Sequence, residues 1–304
     1  MLTPTGEIVA DARRRGVGVG AFNVITVEHA EAIVTGAEAA GCAVVLQISE
    51  NAVRFHHGRL GPIAAAARSV AQLAGVPVGL HLDHVESDEL FDQAAGNGFG
   101  SAMYDASRLG FADNVAATAA AAARGHACGL WVESELGEVG GKDGAHAPGV
   151  RTDPGEAAAY VAATGVDALA VAVGSSHAMT ERVARLDQVL IRDLRDAVAV
   201  PLVLHGSSGV PDDELRAAVR NGVVKINIGT ALNVAFTEAI RATVSADAAL
   251  VDPRKYLRVA RRDMAEAVTR ALRVVALEQP GGGVTGLTYG TTPEKIPAPT
   301  DSAA

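Results

Sequence analysis

The 304-residue chain predicts an α/β fold, a (β/α)8 TIM barrel with an extra C-terminal helix and a Gly/Pro-rich tail. Three observations lead there. Short β-branched runs, apolar almost throughout, alternate with Ala-rich segments of helical length. Runs without polar alternation are what parallel strands need when helices cover them. Eight such units fit into roughly 230 residues, the size of one closed barrel. Composition agrees: apolar residues make up 49% and aromatics only 4%, so small and branched aliphatics must let helices sit close to a sheet. A doubly wound open sheet is the competing arrangement of the same alternation.

The strand runs fall near 17–22 (VGVGAF), 43–48 (AVVLQI), 76–82 (VPVGLHL), 99–104 (FGSAMY), 127–133 (ACGLWVE), 166–173 (VDALAVAV), 200–205 (VPLVLH) and 223–228 (VVKINI). Helical segments lie between them, for example over 27–40, 62–74, 112–124 and 212–221. Ser87-Asp88-Glu89, Asp153-Pro154-Gly155-Glu156 and Pro211-Asp212-Asp213-Glu214 put caps and acids into first turns. Ala74-Gly75-Val76 and Asn221-Gly222-Val223 read as glycine turns that close helices. A last helix is expected over 255–277. Residues 1–278 are thus expected to form a single barrel domain including that helix. Residues 279–304, rich in Gly, Pro and Thr and without periodicity, read as an extended or mobile tail.

Composition also narrows function. A net charge of −9 argues against nucleic acid or an anionic membrane as partner. No run approaches the roughly 18–20 apolar residues of a membrane span. The first residues lack the apolar stretch of a signal peptide, so the expected location is the cytoplasm. Two cysteines, Cys42 and Cys128, cannot make a disulfide framework and are expected as core thiols in a reducing compartment.

Barrels of this kind carry their chemistry at the C-terminal ends of the strands. Of nine histidines, His81, His84, His177 and His205 fall at or just past the ends of the third, sixth and seventh runs. Three strand ends at one rim can converge on one ion, and neutral imidazoles suit Zn2+ or a similar divalent metal. Acids share that rim: Asp83 between two histidines in His81-Leu82-Asp83-His84, Asp105 after the fourth run, Glu133 and Glu135 on the fifth. Small-residue turns follow the last three runs, at Gly174-Ser175-Ser176-His177, His205-Gly206-Ser207-Ser208-Gly209 and Asn227-Ile228-Gly229-Thr230. Such turns expose backbone N–H groups to an anion, and loops after strands seven and eight are a recurrent phosphate site. Metal and turns together point to a phosphorylated ligand. The long loop at 134–152, with Glu138, Lys142 and Asp143 among glycines, reads as a lid carrying an acid–base group.

The strings HLDH, SAMYDAS, ESELG followed by VGG, GSSH, PLVLHGSSG and KINIGT stand in this order. With them the chain resembles the class II, metal-dependent fructose-bisphosphate and tagatose-bisphosphate aldolases. The resemblance runs from Gly20-Ala21-Phe22-Asn23 to about residue 277. It implies His84, His177 and His205 as ligands of one catalytic Zn2+, with Asp105 and Glu133 near the metal or at a second divalent or monovalent cation position. It implies Asp83 as the acid–base group on the aldehyde side and His81 as its neighbour. Gly206, Ser208, Asn227 and Thr230 match binders of the ketone-phosphate half, and Asn227 would also stabilise the enediolate. Ser49 matches a serine near the other half, and Arg258 an arginine that reaches a neighbouring subunit's phosphate site in a homodimer or homotetramer.

The chain departs from the family pattern in three places. Ala178 replaces a glycine after His177, Ser207 replaces the second glycine of HGGSG, and Asp143 replaces the glutamate of the mobile loop with a side chain one methylene shorter. The implied reaction makes or cleaves a ketose (bis)phosphate, giving dihydroxyacetone phosphate and an aldehyde such as glyceraldehyde 3-phosphate. Breaking a carbon–carbon bond beside a carbinol needs an electron sink, which a metal supplies. Asp83 would take the C4 hydroxyl proton and Asp143 would protonate the enediolate carbon. Lys225 permits an imine route by composition, but the histidine cluster favours the metal. The alternatives are a zinc hydrolase on the same barrel and a non-catalytic aldolase-like subunit. The first lacks the His-x-His expected at strand one, where Ala21-Phe22-Asn23 stands; the second is motivated by the altered segments around Ala178 and Asp143.

Overall fold

All eight apolar runs form strands. The chain order is α1 (Thr5–Arg15), β1 (Val19–Asn23), α2 (Val27–Ala40), β2 (Val44–Ser49), α3 (Glu50–Phe55), α4 (Leu60–Leu73), β3 (Val78–Val85), α5 (Asp88–Phe91), β4 (Ser101–Tyr104), α6 (Phe111–Ala127), β5 (Trp131–Glu135), α7 (Pro154–Thr164), β6 (Ala168–Ala170), α8 (Gln188–Ala197), β7 (Leu202–Leu204), α9 (Asp212–Asn221), β8 (Val223–Ile228), α10 (Thr230–Ala246) and α11 (Pro253–Val275). The computed structural model describes residues 1–136, 151–176 and 179–278. The expected lid residues 137–150 and tail 279–304 lie outside them.

The strands are parallel and close into a barrel in sequence order, β8 pairing with β1. Closure leaves no unpaired sheet edge and excludes the open doubly wound alternative. Side chains alternate along each strand. Leu80 and Leu82 of β3, Leu46 and Ile48 of β2, and Ile226 and Ile228 of β8 join the outer core under the helices. The inward face is different. Small Ala21 and Val45 pack with Ile8, Val9 and Ala12 of α1, which cover one end. Above them the interior turns polar, with Gln47, His81, Ser101, Glu133 and Lys225 all buried.

Local chemistry explains the helix ends. Asp153, Ser87 and Asp187 accept first-turn N–H groups from Glu156, Leu90 and Leu190, each cap contributing about 1 kcal/mol. One expected glycine turn does not form: α4 ends on extended Ala74, and the Gly75 N–H instead donates to Glu38 Oε1 at 2.8 Å. The last helix, α11, packs against α2 at Gly36, where an added Cβ would meet the Ala265 carbonyl at 2.5 Å. Thr269 donates to the Gly36 carbonyl at this crossing. Cys42 is partly buried, but Cys128 is exposed. It sits just past the end of α6 rather than inside the strand that follows, which corrects its expected place in the core.

Candidate active site

Successive residues on a regular strand face opposite sides, so Asp83 and His84 should not reach the same cleft. The end of β3 breaks the rule. His84 adopts a left-handed backbone, φ 48°, and the β3–β4 register shifts between Leu82 and Val85. Such strain in a non-glycine residue is held only where surrounding contacts impose it. Here it lets His84 join Asp83 in one cleft.

His84 Nε2 lies 2.9 Å from His205 Nδ1, their rings edge to face. Each ring is held from behind. Asp105 Oδ2 is 2.8 Å from His84 Nδ1, and Glu133 Oε1 is 3.0 Å from His205 Nε2. Carboxylates only accept, so they take the Nδ1–H of His84 and the Nε2–H of His205. The two remaining nitrogens face each other with one positive charge to share. An oxygen of Asp83 and one nitrogen from each ring lie within 4.8 Å of one another. Imidazole nitrogens with a carboxylate are the donor set of a divalent transition ion, zinc above all, and the residues present fit such an ion.

The surrounding charges follow. Burial opposes charge on His84, but Asp83, Asp105 and Glu135 outweigh it and carry its pKa up to about 10. Burial also pushes the Asp83 carboxyl up, partly offset by His84 and Lys225. Asp105 is held below the usual carboxylate range: its burial is outweighed by the bond and charge of His84 and by Ser107. His81, wholly buried beside Lys225, is pushed well down and stays neutral. Its Nδ1 meets Ser101 Oγ at 2.9 Å. Ser101 gives its own proton to the Leu80 carbonyl, so His81 is the donor.

The cleft has a volume of about 840 Å³. At one end lie Gly206, Ser208, Gly229 and Thr230. Gly206 has φ 64°, and a Cβ there would meet Ser176 backbone atoms at 2.5–2.6 Å, so the turn requires glycine. Helix α10 opens at Thr230 without a side-chain cap. Ser208 Oγ accepts the Ala231 N–H at 3.0 Å and ties this helix start to the turn after β7. The positive end of a helix and a glycine turn thus face the same space. At the other end lie Ser49, Glu50, Arg54, Glu86 and Arg108. Ser49 pairs in register with Asp83 and caps α3 through its hydroxyl.

The structure therefore brings together Asp83, His84, His205 and Asn227, with Ser49 on one side and Gly206, Ser208 and Thr230 on the other. Asp105 and Glu133 stand behind the two imidazoles, Asp105 at the cleft wall and Glu133 below it. Arg258 is exposed on α11 and is not part of the cleft wall. His177 and Asp143 lie outside the described residues. The sequence places Glu135 among the rim acids but assigns it no role. It is buried at the end of β5, lines the cleft and has an oxygen 3.8 Å from His205 Nδ1. The signal was parity: Glu133 and Glu135 share a face, and the later residue stands nearer the rim. Gln47 was missed altogether; its amide bridges Asn23 and Asp83 at 2.8 and 3.4 Å.

Fold and cleft define a (β/α)8-barrel enzyme with a candidate metal centre beside a glycine turn and a helix N-terminus. Comparison with known proteins gives the family. The model of the family described as "Fructose-bisphosphate aldolase class-II" matches residues 3–279. The fructose-bisphosphate aldolase of Staphylococcus aureus (strain N315) is 36% identical over 265 residues, 86% of this chain and 93% of that protein. That of Staphylococcus epidermidis (strain ATCC 12228) is 35% identical over 270 residues, 88% and 94% of the two chains. The crystal structure of the YdjI aldolase from Escherichia coli K12 superposes with a TM-score of 0.79 at 31% identity, covering 90% of this chain and 97% of that one. The chain belongs to the class II fructose-bisphosphate aldolase family, a family of metal-dependent lyases.

Proposed function

We propose that the protein makes or cleaves a ketose phosphate by retro-aldol chemistry, with dihydroxyacetone phosphate and an aldehyde such as glyceraldehyde 3-phosphate as the products of cleavage. The observation that carries this reading is the pair of facing imidazole nitrogens, His84 Nε2 and His205 Nδ1, beside Asp83, with Asp83 and His84 lining the same cleft as the glycine turn. His84 and His205, with His177 from the sequence, would hold a Zn2+ ion. When bound, that ion withdraws electrons from the substrate carbonyl and lowers the cost of negative charge on its oxygen.

The chain's own residues do the rest. Gly206, Ser208 and Thr230 take the phosphate at the positive end of α10, and Asn227 donates its amide to the oxygen that becomes negative. Asp83, buried and with a raised pKa, accepts the proton of the carbinol next to the breaking bond and returns it in condensation. Ser49 binds the aldehyde half. Asp143, on the loop, carries the second proton transfer. Asp105 and Glu133 hold the ligand rings in the orientation that turns His84 Nε2 and His205 Nδ1 toward each other. Glu135 faces the same position and is the stronger candidate for a second cation. Arg258, exposed on α11, would reach the phosphate site of a neighbouring subunit in a homodimer or homotetramer.

The test is a cleavage screen on fructose and tagatose 1,6-bisphosphates and a ketose 1-phosphate, with and without a chelator. Turnover of at least one, abolished by the chelator and restored by Zn2+ or Co2+, supports the reading. Turnover of none by metal-loaded protein removes it.

A further inference from the structure

Lys225 lies inside the barrel with no exposed surface. A buried ammonium gives up its hydration and persists only where its partners repay that cost. Its Nζ is 2.9 Å from Glu133 Oε2 and donates to Asn227 Oδ1 at 2.7 Å. An ammonium has donors and no acceptor. Asn227 must therefore turn its carbonyl oxygen down to Lys225 and its Nδ2 up between His205 Nε2, at 3.1 Å, and Asp83 Oδ1, at 3.4 Å. Glu133, anchored through one oxygen, offers the other to His205 Nε2 at 3.0 Å. That is the ring nitrogen opposite the one facing His84.

One side chain thus sits at the root of two arms. We infer that Lys225 is a positioning residue for the aldol reaction. Through Glu133 it holds His205 with Nδ1 toward the cation position, and through Asn227 it aims an amide donor at the reacting oxygen. The inference rests on the functional reading above. The same geometry gives the lysine a role other than that of an imine-forming nucleophile: its Nζ is spent on two interior oxygens, and Lys225 is not part of the cleft wall.

The test uses the full chain as Lys225→Met and as the double variant Lys225→Met/Glu133→Gln. Zinc affinity is read by chelator competition, stability by thermal midpoint, and catalysis as separate kcat and KM. The single variant should melt lower, because it strands a buried carboxylate. The double variant removes both charges and should regain most of the midpoint. Its zinc Kd should nevertheless remain 10–100-fold weaker, roughly the effect of losing a group that orients a metal ligand. Its kcat should fall while KM for a ketose phosphate changes little. A double variant with wild-type zinc affinity and kcat overturns the inference. So does one that fails to fold, because the pair would then serve the fold alone. Wild-type protein that takes up no zinc would remove the functional reading itself, whereas normal wild-type uptake with an unaltered variant removes only the role of Lys225.

Discussion

Asp83 is 2% exposed yet lines the cleft, between Gln47, Asn227 and His84, and its proposed task is proton exchange. Its replacement isolates that task. Asp83→Asn should lower turnover by roughly 10²–10⁴ while zinc content and substrate binding stay near wild type; loss of the metal instead would place Asp83 among the ligands. His84 makes a second prediction. Its folded pKa, raised to about 10 from 6.5, means that the charged ring stabilises the metal-free protein fully below pH 6.5. That contribution fades as pH rises through about 10. A metal needs the bare Nε2, so zinc uptake near pH 7.5 should release about one proton and tighten as pH rises. Calorimetry in two buffers of different ionisation enthalpy measures this, and uptake without proton release would contradict it. These residues were legible because His84 and His205 end apolar runs at one rim. The partnerships were not. Asp105 is 21 residues from His84, and Glu133 is 72 from His205, so only barrel closure brings them together. The left-handed turn at His84 has no sequence signature, since it is imposed by its contacts.

At the scale of elements, the pattern of small and apolar residues located α2 and α9 at their observed ends, because caps and periodicity agree there. It overran β6. The apolar run 166–173 pairs as a strand only over Ala168–Ala170. Val171 and Val173 are buried for packing, and their backbone turns to Val203 and Asp187. Short helices such as α3 escaped notice because six residues carry less than two turns of periodicity. The link from the turn after β7 to α10 gives the prediction that belongs here. Ser208→Ala removes both the hydroxyl that accepts the Ala231 N–H and a donor toward an anion. It should weaken binding of a ketose phosphate by about 1.5–3 kcal/mol and leave the affinity for zinc unchanged. Equal loss for a phosphorylated ligand and its unphosphorylated analogue, measured by titration, would move the phosphate elsewhere.

For the whole molecule, closure of eight strands does what no local segment can: it sets residues from β1, β2, β3, β5 and β8 and from the turn after β7 around one cleft. The outer face of each strand is apolar and packs under helices, whereas the inner face becomes polar toward the rim, where Glu133 and Lys225 pair in the interior. Among the described residues no helix is long and apolar enough to cross a membrane. The central claim, that this barrel performs aldol chemistry with a metal held by His84 and His205, is tested most directly by titrating zinc into chelator-stripped protein while following cleavage of a ketose bisphosphate to triose phosphates. Cleavage should be negligible without metal, rise linearly with added zinc, and reach a plateau at about one equivalent per chain that His205→Ala does not reach. Full cleavage by the stripped protein in excess chelator, or an unchanged titration of His205→Ala, would contradict it.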